Sequence, residues 1–277
     1  ARPGSADEIA KADVVLAIGT ELSQVDLWRD HLGHRGTMIR VDIAAEVLSD
    51  MSRAQIALAG DAAAITEALC DGLDQPLQSA WTQSEVDAAR DRWRREVDAQ
   101  LPGISAICAA LRAGLPKDTM IFSDMTQFAY NANELWDLEA PGLWHHPSGF
   151  GTLGYALPAA IGGAVARPGR PTMCVAGDYG FQYTLPELGV AVELGLPLPI
   201  LLWDNGKLKE IEDSMVRSQI APNAVVARNP DFCALARAYG AGAEEPQSLG
   251  ALTDAVNAGF AASGPTLIRV TPDLLAG

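Results

Sequence analysis

Two short runs, Thr172 to Ala176 and Ile200 to Trp203, each break off at a polar turn, Gly177-Asp178-Tyr179-Gly180 and Asp204-Asn205-Gly206. A short run bounded by turn formers and apolar along most of its length is a strand buried on both faces. Between the two runs there is room for one helix, read as Leu185 to Leu194. Parallel neighbours need such a crossover, so the pair forms a β-α-β unit. Both turns then sit at the C-terminal edge of one sheet, where open parallel sheets bind ligands.

The same alternation recurs along the chain. Asp13 to Ile18, Met38 to Asp42 and Gln55 to Leu58 are strand candidates, and Asp61 to Asp71 reads as a helix with Asp61 as its N-cap and Gly72 as its stop. Three strands are too few for a complete doubly wound sheet, so residues 1–76 are expected to form part of a Rossmann-like α/β domain. Residues 77–100 turn charged, with Glu85, Asp87, Arg90, Asp91, Arg92, Arg94, Arg95 and Glu96, and read as a solvated linker helix. The alternation restarts over 101–277. A helix from Gly103 to Ala113 and a strand from Met120 to Phe122 precede the β-α-β pair; helices near Asp231 to Tyr239 and Leu249 to Ala262 and a strand from Thr266 to Val270 follow it. The expected class is α/β, a parallel sheet flanked by helices and preceded by the partial domain.

Composition excludes several functions. The chain has 277 residues and a formal charge of -15, with a pI near 4.6. Phosphate backbones are gripped by Lys and Arg clusters, so nucleic acid is not an expected partner. No apolar stretch reaches the length of about 18 residues that a membrane span requires. Cys70, Cys108, Cys174 and Cys233 form no C-x-x-C pair, so neither a zinc site nor a disulfide framework is indicated and a reducing cytoplasm is expected. The opening Ala1-Arg2-Pro3-Gly4-Ser5 carries no signal segment and no initiator Met, which suggests a piece of something longer, although removal of the Met would look the same.

Asp178 and Asn205 lie 27 positions apart, each just past a strand. Adjacent parallel strands bring both to one crevice. One carboxylate, one amide oxygen and one backbone carbonyl, without His or Cys, is a hard-oxygen set that suits Mg²⁺ or Ca²⁺. So few protein ligands imply a metal shared with a phosphate. Gly177 and Gly180 allow close backbone approach, and the helix from about Leu185 can point its positive end at an anion.

Gly177-Asp178, the interval and Asp204-Asn205 resemble the GDG and NN signature of the thiamine-diphosphate-dependent acetolactate synthase and 2-oxo acid decarboxylase family. Ser148-Gly149-Phe150-Gly151-Thr152-Leu153-Gly154-Tyr155-Ala156-Leu157-Pro158-Ala159-Ala160-Ile161-Gly162 is similar to a second family segment. There the residue at the Leu153 position props the cofactor in its V shape, and the carbonyl at the Gly151 position accepts from its 4′-amino group. Asp124-Met125-Thr126-Gln127 resembles the stretch whose polar residues touch the diphosphate. Residues 12–20 and 39–43 look like the second half of the family's middle domain.

The resemblance implies thiamine diphosphate and Mg²⁺ as cofactors, with Asp178, Asn205 and the backbone oxygen of Lys207 as metal ligands. Thr126, Gln127, Gly151, Leu153, Gly177, Asp178, Tyr179, Gly180, Asn205 and Lys207 would line the cofactor site. It implies a lyase or transferase in which the cofactor carries the chemistry: its C2 loses a proton to its own imino nitrogen, attacks a 2-oxo acid carbonyl, and accepts electrons as CO₂ leaves. No catalytic side chain is expected in this chain, because the activating glutamate belongs to the family's N-terminal domain. This chain alone should therefore be inactive, and the whole protein a homodimer or homotetramer.

Tyr179 stands where a third Gly is commonest, as in the glyoxylate carboligase branch, and Asp204 replaces the first Asn. Substrate could be a cationic 2-oxo acid such as 5-guanidino-2-oxopentanoate, met by Glu210, Glu212 and Asp213 past Asn205, but a solvated helix start accounts for these acids equally well. Acetolactate synthase or glyoxylate carboligase chemistry is the alternative within the class. Outside it stand a non-catalytic subunit and a nicotinamide oxidoreductase using Gly149-x-Gly151-x-x-Gly154, although Trp144 to Ser148 is no apolar strand. Asp178 and Asn205 could each be a mere turn former, and His145-His146 a loop without a fixed role. The combination of motifs and spacing favours the cofactor reading.

Overall fold

The computed structural model describes residues 3–23, 27, 29, 32–50, 54–73, 80–226 and 228–275. The chain divides into two compact units, Ala1–Trp93 and Arg94–Gly277, with the division inside the helix Gln83–Gln100. The linker reading begins earlier, at residue 77; positions 77–79 lie outside the described residues, and 80–82 are not helical.

The first unit carries the parallel strands β1 (Val14–Ile18), β2 (Thr37–Asp42) and β3 (Ile56–Ala59), hydrogen-bonded in that order. Met38 is buried with Leu22, Leu27 and Ala54, whereas Val14, Leu16, Ile56 and Leu58 are exposed. Arg40 is buried on β2 and stays solvated by the backbone, donating from its guanidinium to the carbonyls of Val47 and Thr20, both at 2.9 Å. The helix Ala62–Asp71 begins where Asp61 accepts from the amides of Ala63 and Ala64, each at 3.0 Å, and stops at Gly72.

The second unit holds a six-stranded parallel sheet of β4 (Met120–Ser123), β5 (Trp144–His145), β6 (Thr172–Gly177), β7 (Pro199–Trp203), β8 (Gly242–Glu244) and β9 (Thr266–Val270), in the order β5-β4-β6-β7-β9-β8. Every residue of β6 and β7 is buried, because helices cover both faces. Side chains alternate between two cores with the period of a strand. Cys174, Ala176, Ile200 and Leu202 pack with the helices Ala156–Ala166, Glu187–Glu193 and Phe232–Ala238. Met173, Val175, Leu201 and Trp203 pack with Ile104–Gly114, Gln127–Leu135 and Leu249–Phe260. Among the described residues no helix is long and apolar enough to cross a membrane.

The helix expected from Leu185 to Leu194 is present as Glu187–Glu193, and a second helix that the sequence did not suggest precedes it. Asp178–Tyr183 follows β6 directly and Glu187–Glu193 comes after a break at Thr184–Pro186. Pro186 has no amide hydrogen to continue a helix, so the second one starts there. The backbone that meets the sheet edge is therefore the turn beginning at Asp178, not the one at Leu185.

Candidate functional site

The chain runs from β4 out to edge strand β5 and returns to β6 on the other side of β4. That reversal opens a crevice at the C-terminal ends of β4 and β6, the place where open α/β sheets hold ligands. Ser123 lies level with Val175, and Gly177 level with Trp203, so the loops after β4, β6 and β7 leave the sheet side by side. They enclose a cleft of about 280 Å³.

All ten residues singled out in the sequence line this cleft: Thr126 and Gln127 after β4, Gly151 and Leu153 from the loop after β5, Gly177 to Gly180 after β6, and Asn205 and Lys207 after β7. Met125, Tyr130, Leu208, Lys209, Glu210 and Ile211 complete the wall. Asp178 and Asn205 thus project into one space.

Asp178 is 4% exposed, with Oδ1 accepting from the Tyr179 amide at 2.9 Å and Oδ2 from Asn229 Nδ2 at 2.7 Å. Burial pushes its carboxyl above the ordinary range; the Asn229 hydrogen bond opposes this and the nearby Asp204 charge adds to it. Asn205 accepts at Oδ1 from the Lys207 amide at 3.2 Å, which turns Nδ2 toward Gln127 Oε1 at 2.9 Å. Gln127 then has its Nε2 buried without a hydrogen-bond partner among the described residues. An unsatisfied buried donor is costly, and a phosphate oxygen in the cleft would satisfy it. Among the described residues no group of three or more His, Cys, Asp and Glu could hold a metal. A cation here would take one carboxylate, amide and backbone oxygens and a ligand of its own.

One expected contact differs. Asp124, read as part of the diphosphate-touching stretch, is 1% exposed and turned inward, accepting from the amides of Gly154 at 2.9 Å and Tyr155 at 3.1 Å. It caps the start of the helix Ala156–Ala166 and pins the loop that carries Gly151 and Leu153. Gly154 itself has φ +87°, a backbone that side chains resist.

Tyr130 escaped the sequence reading. Burial first, and the Glu210 charge second, push its phenol up to about 12, so it stays a protonated donor. His146 Nδ1 lies 2.9 Å from Ser123 Oγ and its ring meets Tyr130 edge-on, while His145 stacks on Phe122. Burial holds His146 below the usual imidazole range. Of the three acids past Asn205, Glu212 pairs with Lys207 at 3.1 Å and Asp213 with Lys209. The Glu210 side chain has no hydrogen bond or ion pair among the described residues and lines the cleft.

Comparison with known proteins identifies the family. The profile of the family described as thiamine pyrophosphate enzyme, C-terminal TPP binding domain, matches residues 124–270. The probable 2-ketoarginine decarboxylase AruI of Pseudomonas aeruginosa is 44% identical over 95% of this chain and 47% of its own length. The large subunits of acetolactate synthase isozymes 2 and 3 of Escherichia coli are 27% and 29% identical, over 96% and 83% of this chain and 49% and 42% of their own lengths. The chain spans about half the length of the curated relatives it matches. It belongs to the thiamine pyrophosphate enzyme family, whose cofactors are thiamine diphosphate and Mg²⁺.

Proposed function

We propose that this chain supplies the diphosphate and metal site of a 2-oxo acid decarboxylase whose substrate carries a positive charge, such as 5-guanidino-2-oxopentanoate. The observation that carries the cofactor reading is the meeting of Asp178, Asn205 and the unpartnered Gln127 donor in one cleft at adjacent strand ends. Asp178, Asn205 and the Lys207 carbonyl would hold the metal, and Thr126, Gln127 and the Gly177–Gly180 backbone the diphosphate. The bound cofactor supplies the electron sink for loss of CO₂. The chain's own part is to fix the anion and to present Tyr130 as a donor that does not ionise.

The substrate reading is supported by Glu210, an uncompensated acid on the cleft wall, and by the name of the relative at 44% identity. A guanidinium would supply Glu210 with its missing partner. In this reading residues 1–76 are part of a middle domain, 77–100 a linker, 101–277 the cofactor-binding domain, and the whole protein is a dimer or tetramer. Carboligation is the second reading, favoured by the acetolactate synthase relatives.

The test is made on the intact protein. Thiamine diphosphate should bind only with Mg²⁺, and CO₂ release should favour the guanidino acid over a neutral 2-oxo acid of similar length. Metal-independent binding would remove the cofactor assignment. Equal rates would remove the substrate assignment, and a condensed product would establish the carboligase.

A further inference from the structure

Asn229 lies 24 positions past Asn205, outside every motif singled out in the sequence, two residues before the cap of the helix Phe232–Ala238. Its Nδ2 donates to Asp178 Oδ2 at 2.7 Å and to Asp204 Oδ1 at 2.8 Å. Both hydrogens of one amide are thus spent on two carboxylates that are 4% and 7% exposed. Its Oδ1 accepts from Gln182 Nε2 at 3.2 Å, and the same Nε2 donates to the Asp178 carbonyl at 3.1 Å. The amide has no freedom to flip, because the reversed orientation would aim its oxygen at two carboxylates. On the far side Asp204 Oδ2 accepts from Arg269 Nε at 2.7 Å, and Arg269 reaches Glu245 at 2.6 Å.

This arrangement divides the charge of two adjacent buried acids. Like charges at close range repel strongly where water is scarce. Arg269, on β9, neutralises Asp204. Among the described residues Asp178 meets no cation, and its carboxylate is held by neutral donors alone. Asn229 holds one of its oxygens, and so fixes the carboxylate plane.

We propose that Asn229 is a positioning residue for the metal ligand Asp178, with Arg269 removing the competing charge of Asp204. The inference rests on the cofactor reading given above. Groups that orient a ligating carboxylate carry about 10- to 100-fold in metal affinity.

The experiment titrates Mg²⁺ into the intact protein at saturating thiamine diphosphate, read by tryptophan fluorescence, with the thermal midpoint of the metal-free protein measured alongside. Asn229→Ala is expected to raise the half-saturating Mg²⁺ concentration about tenfold, and to lower the metal-free midpoint because two buried carboxylates lose their shared donor. Gln182→Met, which removes the donor that holds the Asn229 amide oxygen, should move the half-saturating concentration the same way by less. If Asn229→Ala does not fold, Gln182→Met decides the matter. A half-saturation within twofold of wild type in the deciding variant overturns the inference, provided Asp178→Ala abolishes the Mg²⁺ response. If Asp178→Ala keeps that response, it is the cofactor reading that fails.

Discussion

The carboxylate of Asp124 fills the space that a side chain at position 180 would need: a Cβ on Gly180 would overlap Asp124 Oδ2. Asp124 cannot swing aside, because the same oxygen holds the Gly154 amide. Gly180→Ala is therefore expected to destabilise the protein by about 1 to 3 kcal/mol, the usual cost of overpacking a rigid neighbourhood. Gly162→Ala, with nothing near its Cβ in the helix Ala156–Ala166, should be neutral or mildly stabilising. Urea unfolding of the two variants checks the contrast, and equal destabilisation would refute it.

Gln127 offers a way to separate holding the anion from holding Asn205. Gln127→Glu keeps an oxygen for Asn205 Nδ2 but removes the buried donor and adds a negative charge toward the cleft. Thiamine diphosphate affinity should fall by at least about tenfold, the worth of one hydrogen bond to a charged group. Calorimetric titration with saturating Mg²⁺ measures this, and an unchanged affinity would mean that the Gln127 donor faces no phosphate.

The meeting of Asp178 and Asn205 was legible because everything that creates it is local: two short, mostly apolar runs, turn formers at their ends, and one crossover between. What escaped the sequence depends on distant partners. Asn229 reaches Asp178 across 51 positions from a stretch with no periodicity. An aspartate after a strand suits a helix cap as well as a ligand site, so nothing in the residue type at 124 reveals that it turns inward to the amides of Gly154 and Tyr155. The helix at Asp178 was missed because Gly180 weakens the local helix signal, and burial against Asp124 overrides that propensity.

His146 gives a pH dependence with a defined sign. Burial depresses its folded-state value, so the unfolded chain takes up the proton first as pH falls. Its contribution to stability is complete above the usual imidazole value of about 6.5 and is lost as pH drops through the depressed one. His146→Gln, which retains a hydrogen-bonding group for Ser123, should lose part of the acid-side slope while leaving stability near pH 8 nearly unchanged. Denaturant midpoints across about pH 5 to 8 test this, and a slope equal to wild type would assign the acid sensitivity elsewhere.

The three acids past Asn205 have different surroundings, and substitution should sort them. Glu212 and Asp213 are paired with Lys207 and Lys209, so their charges are met inside the helix Lys209–Arg217 and its approach. Glu210 faces the cleft without a cation among the described residues, close enough to the half-buried Tyr130 for its charge to raise the phenol. A substrate guanidinium would form a charge-assisted hydrogen bond there, worth about 1.5 to 3 kcal/mol. Glu210→Gln should therefore cut kcat/KM for 5-guanidino-2-oxopentanoate by roughly 10- to 100-fold while sparing a neutral 2-oxo acid, and Asp213→Asn should change neither. Should Glu210→Gln lower both substrates equally, the residue would serve the shared chemistry instead, and selectivity for a cation would have to come from another part of the protein.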